Sequence, residues 1–448
     1  MTQLMEPKDA YLSSFARMKS EAGNGAHPWL ERLRKSGIER FAAVGFPSVR
    51  QEQWLHTNVA PIARTPFRPA AAFCDLPRNV LSEHSFADEA AIELVFVNGH
   101  YSPELSTIRT LAKSARALSL ADALETHGER IESHLAHYAD INANPFVALN
   151  TGFLQHGAFI HIPRGAAPDR PIHLLFLSAP SAEPIVAHPR VLILADDTSE
   201  ASIVETYAAI GDGVYFNNVV TEIVVGHGAR VEHCKVQQES LGAFHVSTTD
   251  VRLGRAAYFL SHTASLGSQF TRNNLNVVLG GAGAEAMLNG VTLIDGSQHV
   301  DNHTILDHKE PRCPSHEFYK AVLDGKSSGV FNGKIRVRPG AQKTDSKQSS
   351  KTLLLSDDAL MHSQPALEIY ADDVKCTHGS TTGPVDDQQI FYLRSRGVSL
   401  EAARHLLTYA FLAEITGRIR VRPVRERLEA IMAARHGLPQ DLRVADIG

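Results

Sequence analysis

The sequence predicts a mainly β protein: a parallel β-helix core between a mixed, partly helical N-terminal domain and a C-terminal helical domain. Two observations carry that prediction. From about Phe146, short β-rich runs alternate with glycine or aspartate turns, as in "NVVTEIVVGHGARVEHCKV", "LNVVLGGAGAEAML" and "SGVFNGKIRVRPGAQ". Each is a strand, a tight turn, an alanine and a second strand. The alanines then recur at Ala201, Ala229, Ala256 and Ala284, in steps of 28, 27 and 28, with Ala341 57 residues further on. A fixed period in this range marks a repeat architecture. Alternation with period two excludes helical repeats. An antiparallel sandwich also has many short strands at regular spacing. The β-helix is preferred, because small residues at equivalent positions let stacked coils approach.

The elements follow in order. Residues 1–140 form the first domain, with helical spacing in "DAYLSSFARMKSEA" and in "HPWLERLRKSGIERFAAVG", which closes on Gly45 and Pro47. "AIELVFVNGHY" reads as a strand entering an Asn-Gly turn, and "LADALETHGERIESHLAHY" returns to helix. Trp54, in "QEQWLHT", reads as packing. Residues 141–385 are the β-helix. Its repeat degrades between about Gly296 and Ser328, in a histidine-rich stretch with two prolines, and irregularity on a regular scaffold is where function is expected. Residues 386–448 turn helical. Ser399 is placed as an N-cap with Glu401 in the first turn, and Leu400, Ala403, Leu407, Ala410 and Phe411 make an apolar face. A last helix starts near Pro423 and stops at Gly437. From pattern alone these helices either cap the last coil or present a docking surface.

Bulk properties narrow the function. The 448-residue chain carries a net charge of −5, which argues against nucleic-acid binding. No signal peptide and no apolar run of membrane-spanning length is expected. Four scattered cysteines (Cys74, Cys234, Cys313 and Cys376) suit a reducing cytoplasm better than a disulfide framework.

Candidate chemistry concentrates in two places. In "ADDVKCTHGSTTGP", Cys376 and His378 are two apart on a predicted strand, so sulfur and nitrogen can face one ion. Val374 shares their parity, which favours burial of the cysteine instead. Zinc and iron–sulfur sites take four protein ligands as a rule, so a complete private site is not expected but a shared one is open. The second place is His299, Asp301, His303, Asp307 and His308, near Cys313 and His316. It reads as a metal site or, preferably, as a polar network satisfying itself. Asp295, Asp301 and Asp307 are the carboxylates a polysaccharide-active β-helix enzyme would use. The missing export signal and an aromatic content of 7% weigh against that. No nucleophile elbow, P-loop or zinc-protease helix occurs.

The stretch from "QHVDNHTILDHKEPRCPSHEFYK" through "KTLLLSDDALMHSQPALEIYADDVKCTHGSTTG" resembles the signature region of the SufB/SufD family of iron–sulfur cluster assembly proteins. The likeness runs from about "NPFVALNTGF" through the C-terminal helices, and the N-terminal third matches in layout only. Within the family the chain is more similar to the SufD branch. It lacks a clustered-cysteine motif and has Leu353 to Leu355 where SufB-like chains carry a cluster-building cysteine.

The resemblance implies a right-handed parallel β-helix and a non-enzymatic scaffold subunit. It implies a heterodimer with SufB and recruitment of the SufC ATPase by the C-terminal helices. A homodimer through the same sheet edge is the alternative pairing. Cys376 and His378 match positions facing SufB, where a transient iron–sulfur cluster is built. The resemblance also brings a reduced flavin at the level of the complex, although no stretch here identifies a flavin site.

Overall fold

The computed structural model describes residues 7–22, 27–72, 76–109, 115–179 and 181–435. Among these the chain is a β-solenoid of about eight turns, with helices at both ends of the sequence. Each coil gives one strand to a 12-stranded sheet and one to a 10-stranded sheet, so strands two apart in sequence are neighbours. Pairing within the solenoid is parallel and in register, as in Arg230 on Glu200, Tyr258 on Arg230 and Glu285 on Tyr258. The sheets begin before residue 141, because Ile92–Val97 and His100–Ile108 join the 10-stranded sheet and Arg116–Ser119 joins the other. The Asn98–Gly99 turn joins the first two of these strands with both residues at positive φ, 53° and 87°, as a two-residue hairpin requires.

The repeat is real, but its phase differs from the alanine spacing. Ala229, Ala257 and Ala284 form the stacked column, as their in-register followers Arg230, Tyr258 and Glu285 show. Ala256 sits exposed on a turn in the left-handed region, at φ 51°, and Ala201 pairs with Val231, two residues along. Coils differ in length because turns absorb residues while strands hold register. The stretch 296–328 is also regular. His299–His308 and Pro314–Leu323 pair in register on both sides, with Pro311 in the turn and Pro314 at the strand start, where no ladder donor is lost.

Alternate residues of the stacked solenoid strands face the lumen. An apolar interior including Ile193, Ile203, Val219, Phe259, Leu288 and Ile335 fills much of it. Polar residues fill the rest, many of them bonded to one another. Glu205 accepts from the Tyr207 hydroxyl at 2.5 Å and bonds the His233 ring at 2.9 Å, and Glu239 pairs with His245 at 2.8 Å. Outer faces are covered by the flanking regions. Tyr11, Phe41, Trp54 and Phe146 pack on Phe216, Phe244 and Phe270 of the 12-stranded sheet. Tyr409, Leu412, Leu428 and Met432 pack on Val236, Leu266, Val291 and Phe318 of the other. The C-terminal helices thus lie along a sheet face and do not cap the last coil. Leu400–Thr416 starts at the expected N-cap, Ser399 Oγ accepting from Ala402 N at 3.1 Å. The last helix is Arg422–Arg435, and Gly437 lies outside the described residues.

Stacking at this spacing leaves some lumen positions room for glycine only. A Cβ on Gly290 would overlap the ring of Tyr319, its neighbour in the adjacent strand. Gly290→Ala is therefore expected to destabilise the chain by about 1–3 kcal/mol, read from the urea unfolding midpoint.

Candidate functional site at the open end of the solenoid

The last coil consists of Leu360–Ser363 and Ala366–Ile369 in one sheet and Lys375–Gly383 in the other. Each strand pairs on one side only. Residues 375–383 are almost all exposed, so a row of backbone donors and acceptors faces outward, ready for another strand.

Register decides what lines the mouth of the lumen. Cys376 stacks on Ser346, His378 on Gln348 and Ser380 on Ser350. Cys376 and Val374 pack against the interior core, so this parity faces inward. Opposite, Met361 and Ser363 continue the inward columns of Gly329 and Phe331, and Ser380 Oγ donates to Ser363 Oγ at 2.8 Å across the mouth. Cys376 and His378 therefore share one face of one strand at the rim, the cysteine half-buried and the histidine exposed.

Two polar columns lead down from them. Beneath Cys376, the hydroxyls of Ser346 and Ser315 meet at 2.7 Å, and Ser315 meets His308 Nε2 at 3.0 Å. Burial lowers the His308 pKa to about 4, outweighing the opposing charge of Asp307. Burial also pushes the Cys376 thiol up. Beneath His378, Gln348 Nε2 donates to Glu317 Oε2 at 2.6 Å. Burial raises the Glu317 pKa from 4.5 to about 7, against the bonds from Thr304 and Gln348.

The second cluster is occupied by its own chain. Asp301 faces out of the 12-stranded sheet, fully buried beneath the N-terminal segment, where it pairs with Arg272 and accepts from Thr57. His303 Nε2 lies 3.0 Å from its other oxygen. His299 bonds Thr57 at 3.2 Å and Ser328 at 2.7 Å. Burial alone would raise the Asp301 pKa, but the Arg272 charge and the His303 and Thr57 bonds win and hold it well below the carboxylate range. Trp54 packs over the Arg272 guanidinium at 4.3 Å. Asp301 is thus held within the chain by Arg272 and Thr57, with His303 beside it. Asp307 is likewise held, by Arg338 at 2.9 Å. Among the described residues no group of three or more His, Cys, Asp or Glu is arranged to hold a metal ion.

The remaining candidates are spread. Cys234 is buried under the C-terminal helices and Cys313 in the lumen, while Cys74 lies outside the described residues. On the proposed docking helix Ala403 is enclosed, Leu407, Ala410 and Phe411 are half-buried, and Leu400 is 40% exposed. More exposed are Phe391 at 75% and Tyr392 at 56%, on the preceding helix Asp387–Ser395. Sequence reasoning missed both. The signal was present in the run Ile390, Phe391, Tyr392, three consecutive large apolar residues that one face of a short helix cannot all bury, and only Ile390 is buried. No helix among the described residues is long and apolar enough to cross a membrane.

Fold and site define a β-solenoid protein with helical flanks and one unprotected end. Comparison with known proteins gives the family. Residues 177–411 match the family described as SUF system FeS cluster assembly, SufBD core domain, and residues 5–174 match the SufBD protein N-terminal region. A SufBD family iron–sulfur cluster assembly protein of Synechocystis sp. is 30% identical over 414 residues, 91% of each chain. The iron–sulfur cluster assembly protein SufD of Escherichia coli is 30% identical over 404 residues, 89% of this chain and 91% of that one. SufD of Bacillus subtilis is 25% identical over 432 residues, 94% of this chain and 96% of that one. The chain belongs to the SufBD family of iron–sulfur cluster assembly proteins and is SufD-like.

Two measurements check the electrostatics. Asp301→Ala leaves the Arg272 charge buried and unpaired, and is expected to cost about 3–5 kcal/mol in urea unfolding. Glu317 is protonated more readily folded than unfolded, so its stabilisation is full below pH 4.5 and lost as pH rises through about 7. Glu317→Gln removes that dependence. Wild-type stability measured between pH 5 and 7 should fall relative to the variant by up to about 1.4 kcal/mol per pH unit.

Proposed function

We propose that this chain is a non-enzymatic subunit of a SUF iron–sulfur cluster assembly scaffold, contributing one side of a site completed by a second solenoid. The observation that carries this reading is the last coil, where an unpaired edge strand brings Cys376 and His378 together at the lumen mouth. A SufB-like subunit pairs with that edge and brings the thiolates that a cluster needs in addition to two donors. The nascent cluster is cargo, held and then released. His378 is the readier ligand, because it stands exposed at the rim while Cys376 is half-buried against the interior core. A neutral imidazole also suits a cluster that must leave.

The second partner is a SufC-like ATPase, received on the C-terminal helices where Phe391, Tyr392 and Leu400 stand exposed. Those helices are tied to the solenoid. Lys320 Nζ donates to Phe411 O at 2.6 Å and Glu414 at 2.5 Å, from a strand two away from the one carrying His378. Displacing the helices therefore loads the 10-stranded sheet near its open edge.

The packing of Cys376 on the interior core favours the rival reading of a purely architectural subunit. The deciding experiment co-expresses the chain anaerobically with its SufB-like and SufC-like partners and measures iron and acid-labile sulfide per complex. His378→Ala is expected to form the complex, by gel filtration, and to lose most of both. Normal filling by that variant would make the subunit architectural.

A further inference from the structure

Beyond the two residues at the rim, the lumen holds a feature that their chemistry alone does not explain. Register places Glu317, Gln348 and His378 in one inward column on three successive strands. The bond from Gln348 Nε2 to Glu317 Oε2, at 2.6 Å, fixes which way round the amide sits. Gln348 Oε1 is left buried without a partner. Unpaired buried acceptors are rare, and each costs about 1–3 kcal/mol. The lumen is also shaped around this side chain. Residue 333 on the facing sheet is glycine, and a Cβ there would overlap the Gln348 amide. Replacing the amide by an apolar group would remove the orphan, but it would also take from buried Glu317 the donor on its Oε2.

The next residue along the column is His378, whose backbone pairs with that of Gln348 at a strand spacing of about 4.8 Å. Histidines that bind metals nearly always donate their second N–H to a carbonyl or carboxylate, which fixes the tautomer and raises ligand basicity. We propose that Gln348 is a positioning residue for His378: its anchored Oε1 accepts the imidazole N–H, so that the other ring nitrogen points out of the lumen as a lone-pair donor. Glu317 acts one step further back, by holding the amide the right way round. Without it the amide can rotate and offer Nε2, a donor, which turns the wrong face of the imidazole outward. This rests on the ligand role proposed for His378.

The test compares Gln348→Leu with the charge-preserving exchange Glu317→Gln/Gln348→Glu, in which a carboxylate takes the place of Oε1 and the amide introduced at position 317 anchors it. In the anaerobic complex Gln348→Leu is expected to hold iron about 10-fold more weakly against a chelator, and the exchange to recover most of that loss. Retention equal to wild type in Gln348→Leu, or no recovery on exchange, overturns the proposal. Should Gln348→Leu not fold, Gln348→Met makes the same comparison with a closer shape.

A second readout needs no cluster. Long-range proton–nitrogen correlation spectra of the full chain at pH 8, with His378 assigned by His378→Ala, are expected to show one dominant neutral tautomer. Gln348→Leu should give a mixture, and the exchange should return the single form. The same tautomer pattern in wild type and Gln348→Leu overturns the proposal even if His378→Ala loses its cluster. A shift in tautomer with normal filling of His378→Ala would instead remove the ligand role and leave the contact standing.

Discussion

Each coil hydrogen-bonds to the next through parallel, in-register strands, so a side chain that faces the lumen on one coil faces it on the next. Nearly everything else in the molecule follows from that repetition. It lets apolar columns build a continuous interior from strands of ordinary length. It also forces buried polar residues to find partners above, below or across, because no water-facing rotamer exists inside. Glu205 with Tyr207 and His233, and Glu239 with His245, are such solutions. At the last coil there is no next strand, and the same columns surface as chemistry.

The flanking regions divide the two outer faces between them. The N-terminal helices cover the 12-stranded sheet and bury the Arg272–Asp301 pair beneath Trp54 and Thr57. The C-terminal helices cover the 10-stranded sheet and are fixed to it by Lys320 and by Arg435, which donates to the carbonyls of Leu266 and Leu293. Neither region covers the open end. Of the two cationic anchors, Lys320 lies nearer that end, so it is the shorter mechanical route from helix to mouth.

What could be read from the sequence was set by how local each signal is. Repetition every 27 to 31 residues is local enough to see, and so is the shared parity of Cys376 and His378. The phase of the repeat was not, since Ala256 and Ala257 differ only in which one the turn throws outward. The histidine-rich stretch 296–328 looked irregular because its outward residues are polar. They are polar because Thr57 and Arg272, 244 and 29 residues distant from Asp301, satisfy them. Glu317 and Gln348 could not be connected to His378 at all. Their separations of 31 and 30 residues depend on turn lengths that strand patterns do not encode.

The two ends of the solenoid differ in a way that bears on how many molecules can join. At the first end the terminal strand His100–Ile108 runs antiparallel to its neighbour across a bulge at Glu93–Val95, and it carries Pro103 and Glu104. Bulge, proline and charge are the devices by which sheets refuse a further strand. The last strand, Lys375–Gly383, has no bulge and no proline, and its one charge, Lys375, stands at its start. A rod that accepts an addition at one end and rejects it at the other cannot grow into a filament. Were two such rods to meet at their unpaired ends, the pair would be closed, with no free edge strand left for a third.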